Sequence, residues 1–253
     1  MSISKSGSRS RIFWLLCGLV CLAVPLSAQS VTFSGRVTDQ SSGQGIPDVA
    51  IVAQGNNSGT RVVVTDAQGN YTLPFGSSSN IRLRPYRSQY VFNPALIGFF
   101  SPGGFPIVGS IHQDFTGIAL PFSILIFAQA PILLTEDNSL NALSLDSVLQ
   151  TRDPMALTNN NYFGSDKRTR LQLYVVDLDL FSGETLSIIS ASALDAQQVN
   201  HPLTVEDLRK VPGVPWMSQL TLRLPNDLLG PSDAFVSVTA RGQTSVAVRI
   251  HIK

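Results

Sequence analysis

Two carboxylates in Asp177-Leu178-Asp179 are the residues of this chain best spaced for chemistry. In an extended strand, residues i and i+2 share a face, so the pair could flank a glycosidic bond or hold a cation through hard oxygens. They also stand just before a turn at Phe181-Ser182-Gly183-Glu184, which reads as a solvated strand end. Thr135-Glu136-Asp137-Asn138 offers further oxygens, without the ligand spacing of a calcium loop. His112, His201 and His251 are far apart, and none lies in a metal-binding spacing such as H-E-x-x-H. His251 alternates with Ile250 and Ile252, as an outward-facing strand residue would. No serine sits in a G-x-S-x-G elbow. These residues point away from catalysis, and the expectation is no catalytic, cofactor-binding or metal-binding residue and no cofactor.

Contact chemistry is better represented. Arg82, Arg84 and Arg87, with Tyr86 and Tyr90, form a basic and aromatic strip suited to an acidic polysaccharide or the carboxylates of another envelope protein. The same residues also fit the outward face of a polar strand. Trp216 could stack on a sugar ring, but with Leu220 and Leu222 beside it, burial is expected. Asn56-Asn57-Ser58 and Asn70-Tyr71-Thr72 match the glycosylation sequon, which bacterial export would leave unused.

Residues 1–28 have the order of an export signal. Lys5, Arg9 and Arg11 are basic, Ile12 to Val24 is apolar, and Pro25-Leu26-Ser27-Ala28 ends in a small residue before Gln29. A retained N-terminal anchor is the alternative. Leu15-Leu16 and Leu19-Val20 precede Cys17 and Cys21 where lipoprotein processing needs small residues. Both cysteines lie in the segment to be removed, so the exported chain would have no disulfide or thiolate chemistry. It would carry 15 basic against 17 acidic residues, a charge of −2 with no general attraction for nucleic acid. The apolar run from Ala119 to Leu134 is short and broken by Pro121, Gln129 and Pro131, so an interdomain strand or linker is expected rather than a membrane span.

The elements that must position these residues read as β throughout. Val31, Phe33 and Val37 alternate with polar neighbours, and Asp48–Ala53, Arg61–Thr65 and Tyr71–Phe75 follow as strands. Ile81 and Leu83 should face inward, leaving Arg82 and Arg84 facing water. Ser88 to Gly109, rich in proline, glycine and phenylalanine, reads as a packed irregular loop, with Gln113–Thr116 the last strand of the module. Residues 135–168 read as polar and irregular, with a short helix near Leu140–Leu149. Strands resume at Thr169–Val176, Thr185–Leu194, Leu203–Val205, Trp216–Leu224, Phe235–Ala240 and Val246–Ile252. Val211-Pro212-Gly213-Val214-Pro215 reads as forbidding regular structure. The expected fold class is all-β, with two β-sandwiches.

Gly35-Arg36-Val37-Thr38-Asp39, Gly45-Ile46-Pro47, Ala50 and Thr65-Asp66-x-x-Gly69-x-Tyr71 resemble the carboxypeptidase regulatory-like domain, a small prealbumin-like β-sandwich, over residues 31–118. The resemblance implies a module for stability, spacing or contact, without zinc ligands or catalytic groups. Leu222-x-Leu224-Pro225-x-x-Leu228, Val236-x-Val238, Gly242-x-x-Ser245 and Val248-x-Ile250 resemble the immunoglobulin-like TIG module, as in uncharacterised secreted bacterial proteins. The expected division is a signal peptide at 1–28, a first sandwich at 29–118, an apolar linker and polar segment at 119–168, and a second sandwich at 169–253. The function expected is adhesion, scaffolding or carbohydrate contact in the cell envelope or medium, with no stable membrane span after cleavage. An accessory subunit of a secreted enzyme carried on a separate chain is the alternative, and an unrecognised hydrolase a third reading.

Overall fold

Alternation at period two builds the first sheet. β1 (Val31–Asp39) buries Val31, Phe33 and Val37 on one face, and the computed structural model, which describes residues 30–56, 58–120, 129–159, 164–228 and 230–253, places it at the centre of a sandwich. The strands that follow are β2 (Ala50–Gly55), β3 (Gly59–Val64), β4 (Asn70–Phe75), β5 (Asn80–Tyr86), β6 (Tyr90–Asn93), β7 (Ile97–Phe100), β8 (Gly109–His112) and β9 (Phe115–Ala119). One sheet runs β4-β1-β9-β6, with β8 also beside β1, and the other runs β3-β2-β5-β7. Phe33, Leu73, Phe75 and Phe115 from the first sheet meet Ile51, Ile81 and Leu83 from the second. The signal segment lies outside the described residues.

The stretch from Ser88 to Gly109, expected as irregular, supplies β6 and β7, which pair with β9 and β5. Its prolines fall between strands and not within them, so they punctuate the pairing without blocking it.

The second body is larger. β10 (Ile132–Leu133), β11 (Ser144–Asp146), β12 (Arg170–Val176), β13 (Ile189–Leu194), β14 (Asn200–Val211), β15 (Val214–Arg223), β16 (Ser232–Ala240), β17 (Gln243–Thr244) and β18 (Val248–Ile252) form one continuous ladder. β14 pairs with β13 through its first half and with β15 through its second, with an irregularity between Val205 and Asp207. That bulge lets one strand belong to both layers. Leu171, Leu173, Leu220 and Leu222 of one layer pack on Ala193, Val236, Val238 and Ile250 of the other. The chain is thus all-β, in two sandwich layers twice over.

Two local expectations change. Val211–Pro215 is not a break: Val211 pairs with Val214, and Pro212-Gly213 alone turns the chain, Gly213 at φ 76°. No helix forms near Leu140–Leu149. Ser144–Asp146 pairs with β12, and Asp146 Oδ1 then accepts the amides of Val148 at 2.8 Å and Leu149 at 3.0 Å. A side chain that captures the next amides offers the backbone a turn in place of a helix. Residues 140–155 also lace along β18, where the Ala142 amide donates to Arg249 O and the Met155 amide to His251 O.

Candidate functional site

The first sandwich's sheet β3-β2-β5-β7 is covered on both faces, and that fact organises the site. Val52 pairs with Arg84 and Ala50 with Tyr86, so one face of β2 and β5 looks away from the first core. Val52 there joins Ile132, Leu134 and Val176 in a separate apolar cluster edged by Val62, Tyr86, Tyr174, Trp216 and Met217. The unbroken apolar run Val49-Ala50-Ile51-Val52-Ala53 was the available signal, since a strand apolar at every position is buried on both faces.

Polar groups ring this cluster. Arg84 Nη2 lies 3.1 Å from Asp177 Oδ2, and both terminal nitrogens donate to Ala130 O at 3.2 and 3.1 Å. The Tyr86 hydroxyl donates to Asp179 Oδ2 at 2.7 Å, and Asp179 Oδ1 pairs with Lys210. Burial pushes the Tyr86 phenol well above its ordinary range, with Asp179 adding to the effect. Arg84 is therefore not a solvent-facing residue as expected; it is 8 % exposed. Facing away from its own core means facing water only where nothing else docks.

Thr135-Glu136-Asp137-Asn138, weighed as a cation site, serves the same junction. Thr135 Oγ1 accepts the Thr60 amide at 2.8 Å, and Asp137 pairs with Arg61 at 2.9 Å. Gly59, at φ 68°, lets the chains approach: a Cβ there would lie 2.0 Å from Ser139 O.

Of the predicted contact strip, Arg82 alone is exposed. Arg87 donates to Pro47 O at 2.6 Å and lies 5.1 Å over the Tyr90 ring, itself stacked on Phe92. Tyr86, Arg87 and Tyr90 share a crevice of about 130 Å³ with Asp177, Asp179, Phe181 and Arg241. Arg241 stacks 4.0 Å over Phe181 and pairs with Glu184. The strip and the acidic pair, read separately from sequence, thus meet in one place. Gln89, Asp177 and Arg241 there adopt positive φ without being glycine, which is uncommon.

No family model matches this chain, and no curated protein matches it. Among solved structures, it is similar to 3-chlorocatechol 1,2-dioxygenase of Rhodococcus opacus, with 13% identity and a TM-score of 0.28 over 37% of this chain and 61% of that one. The major pilin subunit BcpA of Bacillus cereus matches with 9% identity and a TM-score of 0.28, over 89% of this chain and 70% of the pilin. The Bacillus anthracis TIE protein matches with 9% identity and a TM-score of 0.25, this chain covering 32% of its length. Likeness at this level carries no argument about what this chain does.

The remaining sequence candidates have local explanations. His201, 5 % exposed, is held between Asp195 at 2.8 Å and Asp227 at 3.3 Å. Asp195 Oδ1 meanwhile accepts the amides of Gln197 and Val199, so the group closes the β13–β14 turn. His251 is outward-facing and pairs with Asp233 at 2.9 Å, and His112 lies 3.2 Å from Asp114. Among the described residues, no group of three histidine, cysteine or acidic side chains could hold a metal, and no helix is long and apolar enough to cross a membrane. Trp216, expected in the core, is half-buried at the edge of the junction cluster, where Arg61, Val63 and Leu143 share its hollow.

Burial pushes the Asp177 carboxyl up to about 6, against the pull of the Arg84 guanidinium. A carboxyl that holds its proton more tightly folded than unfolded destabilises the native state when charged, and that cost is relieved as pH falls from 6 towards 4. The difference corresponds to about 3 kcal/mol. Asp177→Asn retains an acceptor for Arg84 and tolerates the backbone at φ 62°. Relative to this variant, the wild type should gain about 1 kcal/mol between pH 7 and pH 5 in urea unfolding. The histidine pair, whose stabilisation is present below the ordinary histidine range and lost as pH rises through its raised value, cancels in the comparison. Parallel pH curves would show that Asp177 titrates as an ordinary aspartate.

Proposed function

We propose that this chain is an exported, non-catalytic two-sandwich protein of the bacterial cell envelope or medium, for adhesion, scaffolding or carbohydrate contact. One observation carries the reading: the acidic pair best spaced for chemistry is tied across the junction to Arg84 and Tyr86. Carboxylates so engaged hold two sandwiches in one orientation, and a fixed pair of sandwiches suits a surface module. The basic, apolar and small-residue order of residues 1–28 supports export.

The carboxypeptidase regulatory-like reading of the first domain, residues 29–118, is supported by its motif glycines. A Cβ on Gly35 would lie 1.8 Å from Gln113 O, and one on Gly45 would lie 1.9 Å from Gln68 O, so both positions demand glycine. The TIG-type reading applies to the second domain, which we take to begin ahead of β10, because β10 and β11 pair with β12.

The test is the fate of the full chain in a bacterial host. Recovery from the envelope or medium with an N-terminus at or near Gln29 by mass spectrometry is expected. Protein retained in the cytosol with Met1 intact would overturn the proposal.

A further inference from the structure

Next to the crevice, and sharing Gln129 with it, a groove of about 310 Å³ has a different electrostatic character. Gln54, Arg82, Gln129, Gln243 and Thr244 line it, with Leu96 and Val246 as exposed apolar edges. It carries two guanidiniums and no carboxylate, whereas the crevice holding Arg87 and Arg241 also holds Asp177 and Asp179. Of the two guanidiniums, Arg84 is neutralised by Asp177, but no hydrogen bond or ion pair holds Arg82 among the described residues. The groove is continuous with a hollow of about 240 Å³ that shares Gln54, Arg82 and Val246.

We infer that this groove binds an acidic polysaccharide, with the carboxylate of a uronic acid residue on Arg82. A guanidinium offers a planar, bidentate partner for a carboxylate. Side-chain amides and hydroxyls both donate and accept, as sugar hydroxyls require. The apolar edges suit the C–H face of a pyranose. An extended acidic peptide fits less well, because it would be held by main-chain pairing at a free strand edge. β2 and β5, which carry Gln54 and Arg82, are each paired on both sides. The inference deepens the carbohydrate-contact reading and rests on it. Export is tested separately by the N-terminus, so failure of one leaves the other standing.

The experiment is affinity electrophoresis of the full-length exported protein in gels containing polygalacturonate, its fully methyl-esterified form, or polyglutamate. Retardation by polygalacturonate alone is expected, weakening as salt rises. Arg82→Ser, at an exposed position, should weaken it at least tenfold, while Arg82→Lys retains part of it. Retardation by the neutral ester as strong as by the acid, or equal retardation of Arg82→Ser, would overturn the assignment. Stronger retention by polyglutamate would overturn it in favour of an acidic peptide, and no retention in any gel would overturn it outright.

Discussion

Gly69→Ala should unfold the first sandwich, and Gly69→Val should do so more completely. Three pieces of backbone meet at this turn. The Val37 amide donates to Gly69 O at 2.8 Å, the Ile46 amide donates to Val37 O at 2.9 Å, and Asp66 Oδ1 accepts the amides of Gln68 and Asn70. Gly69 has φ 80°, and a Cβ on it would stand 2.3 Å from Val37 O and 2.9 Å from both Gly45 Cα and Ile46 N. Backbone atoms in a central strand cannot move aside as a flexible side chain can. The left-handed conformation alone costs roughly 1–2 kcal/mol for a residue with a β-carbon. The collision adds to that, and the sum should exceed about 4 kcal/mol, a large part of a domain's ordinary 5–15 kcal/mol. Gly43 provides the control: it has φ 69° but nothing within 4 Å of its Cβ position. Gly43→Ala should therefore lose only about 1–2 kcal/mol. Equal melting temperatures for the two alanine variants would mean that the close approach at Gly69 does not exist.

Arg84→Met should weaken the junction by about 3–5 kcal/mol at neutral pH. It removes the ion pair to Asp177, leaves that carboxylate charged and poorly solvated, and strips Ala130 O of two donors. Calorimetry should show the wild-type sandwiches unfolding together and those of the variant unfolding in two steps. The loss should shrink at pH 5, because Asp177 can escape its unpaired charge by binding a proton. Arg84→Met combined with Asp177→Asn should recover most of the loss, the non-additivity expected of groups in contact. Wild-type stability of the single variant at pH 7 would show that the pair contributes nothing to holding the domains.

The site was legible in its parts. Arg82, Arg84, Tyr86, Arg87 and Tyr90 were readable as a strip, and Asp177-Leu178-Asp179 as an acidic pair, because short polar motifs stand out against alternating strands. Their meeting was not readable, since about ninety residues separate Arg84 from Asp177 and no local pattern encodes that contact.

The sequence by itself determined the β class, the inward positions of Phe33, Ile81 and Leu83, and the turn between Thr65 and Tyr71, although that turn carries the chain from one sheet to the other and closes no hairpin. A period of two and the demand for positive φ are local properties that the chain carries residue by residue. Only the tertiary structure decided that Arg84 is buried while Arg82 is exposed, although both lie on one face of the same strand. It likewise took Trp216 out of the sandwich core and made strands of Tyr90–Asn93, Ile97–Phe100 and Ser144–Asp146. The physical reason is the same each time. A strand's pleat fixes which residues share a face, but the free energy of each face depends on what packs against it. That partner comes from a distant part of the chain.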